Sequence, residues 1–181
     1  MSEDDLEEYL YSGDRLNKNK HEALANGKKI ILTTEDEITE YIHSSIDKDN
    51  SLTTIRYGRV NKRLSADVAT YSKGKINING NFLELVPFDI DHTYREHSKA
   101  KEAGDIDLSM SDFENIPYYI DHYDELVYAI RFKGGNTRIC LSKKLPNGRV
   151  LIIETVSKSS GSIAFKNMIG VSEEKYREYI K

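Results

Sequence analysis

Residues 125–169 read ELVYAIRFKGGNTRICLSKKLPNGRVLIIETVSKSSGSIAFKNMI, and the fold class turns on them. Four runs carrying Val, Ile, Tyr and Phe (ELVYAIRF, TRICLSKKL, RVLIIETVS, SIAFKNMI) are separated by GGN, PNG and KSSG. β-Branched and aromatic residues fit a pleated, half-buried surface, whereas Gly, Pro, Asn and Ser supply the dihedrals of tight turns. The alternation predicts a four-stranded antiparallel meander.

Downstream of it, SEEKYREYIK places Ser172 as an N-cap and Tyr176, Tyr179 and Ile180 on one side, which predicts a closing helix. Upstream, DLSMSDFENIPYYI (107–120) carries Ser111 with Glu114 at capping-box spacing, followed by a Pro117 that ends or kinks a short helical turn. KINING and NFLELV, joined by Asn79-Gly80, carry a strong two-residue hairpin signal, and SLTTIRYGRV is a further candidate strand. Ile30 to Leu32 suggest a short strand. Thr34 with Glu37 then caps a helix whose apolar stripe is Ile38, Tyr41, Ile42 and Ile46, with His43 off the stripe and facing solvent. SEDDLEEYLYSG, at the N-terminus, reads as an acidic amphipathic helix stopped by Gly13. The division expected is an acidic helical N-terminal extension over 1–27 and a single α+β domain over 28–181.

A chain of 181 residues can bury one sizeable core and is short for two full-size domains. No apolar run reaches transmembrane length, and the N-terminus is acidic where a signal peptide would be basic and then apolar, so no membrane association and a cytoplasmic location are expected. The single Cys140 excludes an internal disulfide and a multi-cysteine zinc site; its neighbours Ile139 and Leu141 favour a buried strand thiol over a reactive one.

Net charge is −4, which taken whole argues against electrostatically driven nucleic-acid binding. Between Arg131 and Lys166, however, eight basic residues (Arg131, Lys133, Arg138, Lys143, Lys144, Arg149, Lys158, Lys166) face one acid, Glu154, a local balance of +7 that leaves −11 for the rest. A phosphate-binding face and a basic solvated sheet face both fit that asymmetry.

Chemistry-bearing residues cluster in DIDHTYREHS (89–98), with His92 and His97 five apart. Five residues turn two side chains to different faces in a helix and also in a strand, so at most one of the pair belongs to a site. No HxH, HExxH or EF-hand pattern accompanies them, and no metal or cofactor is expected. A histidine with cationic partners suits metal-free RNA cleavage, where the 2′-OH is the nucleophile and the protein supplies proton transfer and positive charge.

The order DHTYREHS, SDFENIPYYI, lysine-bearing strands, RVLIIETVS and SIAFKNMIG resembles the phage-associated barnase/EndoU/colicin/RelE-like nuclease group over roughly 50–170. The resemblance implies an RNase-like α+β fold, with a helical N-terminal part packed on a four-stranded antiparallel sheet, and metal-independent endoribonuclease activity. It implies His97 as general acid or base, Lys143 or Lys144 for the transition state, and Glu154 as an orienting acid or a partner of Arg149. Asn167 stands where the group has Thr, and Ile169 where it has Tyr. Phosphate contacts fall to Arg131, Lys133, Arg138 and Lys166, RNA is the expected partner, and a toxin of this kind implies an immunity or host protein. The rival expectation is a non-catalytic interaction protein whose acidic surface binds and inhibits a host protein.

Overall fold

The computed structural model describes residues 10–11, 30–32, 34–46, 52–132, 135–157 and 161–180. The meander forms as β5 (Glu125–Arg131), β6 (Thr137–Leu145), β7 (Gly148–Val156) and β8 (Ser162–Val171). Consecutive strands pair antiparallel, with Arg138 opposite Thr155 and Ile152 opposite Met168, and the register shifts between Leu126 and Tyr128 and again between Ile153 and Glu154. Leu145 pairs with Gly148 across Pro146-Asn147, where Pro pre-sets φ at the first central position of the turn. An added Cβ at Gly148 would stand 2.3 Å from the Val171 carbonyl oxygen, so only glycine lets β7 start there.

The four strands are half of a larger, mixed sheet, which corrects the purely antiparallel four-stranded expectation. β8 continues, parallel, into β4 (Phe82–Leu85), which pairs antiparallel with β3 (Ile55–Arg59). Two-residue strands β2 (Ile30–Ile31) and β1 (Leu10–Tyr11) extend the edge in parallel, giving the order β1-β2-β3-β4-β8-β7-β6-β5. Leu10 and Tyr11 are therefore extended rather than helical; the rest of the acidic N-terminal helix and extension lies outside the described residues. The Asn79-Gly80 hairpin does not form. The turn closes through Asn81 N to Ile78 O, with positive φ at Gly80 but not at Asn79. A two-residue hairpin of the favoured mirror type needs positive φ at both positions. Both hydrogen-bonding edges of β4 are taken by β3 and β8, which leaves none for residues 76–78.

Among the described residues six helices accompany the sheet. α1 (Glu35–Ile46) carries the Thr34–Glu37 start, with the Thr34 hydroxyl donating to Glu37 Oε1 at 2.5 Å, and buries Ile38, Tyr41, Ile42 and Ile46. α2 (Lys62–Tyr71), which the sequence reading omits, is capped by Asn61 and buries Leu64 and Val68. α3 (Pro87–His97) starts on a proline, whose missing N–H would be unsatisfied in the first turn anyway. α4 (Met110–Glu114) takes its capping box from Ser109 and Asp112 rather than Ser111 and Glu114, and the break falls at Asn115. Pro117 then sits in the first turn of α5 (Ile116–Asp121), starting a helix rather than ending one. α6 (Glu173–Tyr179) is capped by Ser172. No helix among the described residues is long and apolar enough to cross a membrane.

One sheet face and the helices enclose the main core, in which Ile42, Ile55, Leu64, Ile90, Phe113, Ile116, Phe165 and Met168 are buried. Each such side chain contributes about 1.5–3 kcal/mol when fully removed from water. A smaller cluster on the opposite face, Cys140, Leu151, Val171 and Tyr176, is closed by α6. Burial pushes the Cys140 thiol up to about 12, so it is held as an inert thiol.

Candidate functional site

α3 lies along β8, and residues four apart on the helix meet successive residues of the strand. Asp89 Oδ1 accepts from Lys166 Nζ at 3.0 Å, and the Thr93 hydroxyl donates to Asn167 Oδ1 at 3.3 Å. One turn further, His97 shares a shallow cleft of about 120 Å³ with Ile169 and Gly170. His97, Asn167 and Lys166 thus fall on one seam. Asn167 is also held by the Met168 amide, which donates to the same oxygen at 2.8 Å.

The His97 cleft is rimmed by Glu96, Lys99, Lys101, Glu102 and Asp105. Half-burial, and then the Lys101 ammonium, push the His97 imidazole below its ordinary value of 6.5, so the ring is neutral at neutral pH and able to accept a proton. Lys101 Nζ bonds Glu96 at 2.8 Å, and Lys175 Nζ bonds Asp105 at 2.5 Å. Lys99 is exposed at the same rim. The helix brings the two sequence histidines to different surroundings: His92 is exposed and stacks on Phe88, 5.9 Å between ring centroids.

The remaining basic residues spread over both sheet faces and several partners. Lys143 Nζ lies 3.9 Å from Asp124 Oδ1, while the Lys144 amide donates to Asp124 Oδ2 at 2.6 Å and its side chain is exposed. Arg131 donates to the Lys75 carbonyl, and Arg138 lies over the Phe132 ring on the other face. Arg149 is buried against Tyr176 and bonded to Glu173 and Ser142. Lys133 and Lys158 lie outside the described residues.

Glu154 is fully buried on the helix-covered face, between Ile139 of β6 and Phe165 of β8. Neither carboxyl oxygen has a hydrogen-bond partner among the described residues, and burial raises the group to about 8. It makes no pair with Arg149, which belongs to the opposite face. The Tyr57 hydroxyl on β3 is likewise buried with no partner among the described residues, and burial, Glu154 and Asp121 all hold it protonated.

A second, larger cleft of about 370 Å³ opens between α1, β3 and α5, lined by Glu35, Ile38, Tyr57, Arg59, Tyr118 and His122, among others. His122 stacks on Tyr118 at 4.2 Å with 20° between the planes. At its edge His43, off the buried stripe and partly exposed as expected, meets Glu114 Oε1 through Nε2 at 2.6 Å and ties α1 to α4. Sequence reading missed this cleft. Its local signal is the Tyr118-x3-His122 spacing, which stacks two rings on a helix, but Tyr57 and Arg59 reach it only through the sheet.

The chain belongs to the family described as phage-Barnase-EndoU-ColicinE5/D-RelE like nuclease3, whose family model matches residues 59–178 and so takes in the His97 cleft, the whole meander and the α5 wall of the larger cleft, but not Glu35, Ile38 or Tyr57. No curated protein and no solved structure matches it.

Proposed function

We propose that this nuclease-family protein is a metal-independent endoribonuclease with His97 at its reacting centre. Neutral His97 takes the proton of the 2′-OH, which attacks the adjacent phosphorus; the bond from phosphorus to the 5′-oxygen breaks, that oxygen takes a proton from water, the His97 imidazolium returns its proton to solvent, and a 2′,3′-cyclic phosphate remains. Lys101 is tied to Glu96, and Lys175 to Glu102 and Asp105, so the rim carboxylates are paired and exposed Lys99 faces the charge that grows on the phosphorus oxygens. Asn167 positions the centre indirectly, by holding Thr93 one helical turn before His97. Glu154 takes no part in proton transfer in this proposal, because its oxygens lie in the core. The observation that carries the proposal is the neutral, half-buried imidazole with two lysines at one rim.

The test is incubation of wild type and His97→Ala with total RNA and a defined oligomer in EDTA, followed by analysis of product ends. Cleavage leaving 2′,3′-cyclic phosphate, lost in the variant, is expected. No cleavage by wild type at protein excess across several RNAs, or full cleavage by His97→Ala, overturns the proposal.

A further inference from the structure

We propose that the cleft between α1, β3 and α5 is a base-binding subsite for single-stranded RNA, with the stacked Tyr118 and His122 rings as its platform. The inference rests on the RNA-cleaving reading for its ligand and on a different cleft for its site, since no residue lines both clefts.

Three observations converge on it. Tyr118 is 53% exposed, and its partner His122 holds it in orientation through the near-parallel stack and a 3.1 Å contact from Nδ1 to the Tyr118 carbonyl. A fixed, exposed aromatic face binds any base by stacking, and this is the common device of single-strand recognition. The cleft behind it falls within the range of small-ligand pockets, and its wall combines apolar Ile38, Leu83 and Pro117 with polar Asn115. The Tyr57 residue forms part of that wall, a further aromatic side chain beside the stacked pair.

Charge sets the orientation of the nucleotide. Glu35, Glu114 and Asp121 line the cleft, so a phosphate inside it meets repulsion while the N–H donors of a base meet acceptors. The cations stand at the rim: Arg59 lines the opening and Lys143 Nζ lies 5.9 Å from the Tyr118 ring centroid. The base enters and the backbone stays outside, against Arg59 and Lys143. Lys143, which the family resemblance assigns to the transition state, stands instead beside this cleft. One chain segment joins the two clefts, with Ile106 in the His97 cleft and Glu114 to His122 in this one.

The test uses fluorescence anisotropy with a labelled 2′-O-methyl oligoadenylate, which lacks the free 2′-OH and so reports binding without cleavage. Wild type is compared with Tyr118→Ala, Tyr118→Phe, His122→Ala and His97→Ala, each checked for unchanged thermal unfolding. Tyr118→Ala is expected to weaken binding about five- to hundredfold, the usual loss for one stacked base. Tyr118→Phe, which keeps the ring face, is expected to stay within about twofold of wild type on the same stacking argument. His97→Ala is expected to bind and not cleave. Wild-type affinity in both Tyr118→Ala and His122→Ala, with RNA cleavage intact, overturns the subsite and leaves the nuclease reading standing. Oligomer binding that depends on Tyr118 in a protein that cuts no RNA overturns the nuclease reading and keeps the subsite. Absence of oligomer binding by wild type overturns the subsite.

Discussion

The hydroxyl of Thr93 on α3 donates to Oδ1 of Asn167 on β8, and the Met168 amide donates to that same oxygen. Thr93 is fully buried, so its hydroxyl has no water to turn to if the acceptor is removed. Asn167→Ala is expected to destabilise the fold by about 1–3 kcal/mol, the cost of leaving a buried polar group unsatisfied. Thr93→Val combined with Asn167→Ala is expected to cost less than the sum of the two single changes, as measured by urea unfolding in a double-mutant cycle.

Glu154 carries a pH dependence of stability. In the fold its carboxyl stays protonated up to about 8, while in the unfolded chain it ionises near its ordinary 4.5. Between those values the native state holds a proton that the unfolded state has released, so stability falls as pH rises through this window. Glu154→Gln removes the titration and is expected to be more stable than wild type at pH 8.5 by about 1–2 kcal/mol, a cautious part of the linkage. The difference is expected to shrink towards pH 5. Chemical unfolding at several pH values reads it, and parallel pH profiles for the two proteins would contradict it.

His97 titrates below 6.5 because burial and the Lys101 ammonium disfavour its charged form, while Glu96 acts in the opposite direction. Lys101→Met removes a lowering influence and leaves Glu96 without its 2.8 Å partner. Both changes are expected to move the imidazole titration upward. An NMR titration of the His97 ring proton checks this directly, and the acid limb of the pH profile for RNA cleavage is expected to move with it.

Gly148 and Gly80 are both required, for different reasons, and the two substitutions separate them. At Gly148 a Cβ meets the Val171 carbonyl oxygen at 2.3 Å, so Gly148→Ala forces backbone apart at the β7–β8 end of the meander. A loss of about 2–3 kcal/mol or more is expected, as for other overpacked sites. At Gly80 the added atom meets nothing within 4 Å and the strain comes from φ of +78° alone, so Gly80→Ala is expected to cost about 1–2 kcal/mol. Thermal unfolding of the two variants ranks them.

Sequence by itself determined the meander, the Thr34 and Ser172 helix starts, the buried stripe of α1 and the buried state of Cys140. Each rests on neighbours a few residues apart: alternation along a strand, a cap three residues before its amide, or apolar residues at helical spacing. It also carried the family resemblance, because the marks of that group follow one another along the chain. Only the tertiary structure decided that β4 joins β8 in parallel, for Asn79-Gly80 is an adequate local hairpin signal until both edges of Phe82–Leu85 are occupied. Only the tertiary structure set Asp89, Thr93 and His97 against Lys166, Asn167 and Ile169–Gly170, residues more than seventy positions apart. It likewise divided the basic stretch between two faces, since neighbouring strand residues point oppositely and each found its own carboxylate or ring. Local rules act through the chain, whereas a cleft is made where distant segments exclude water together.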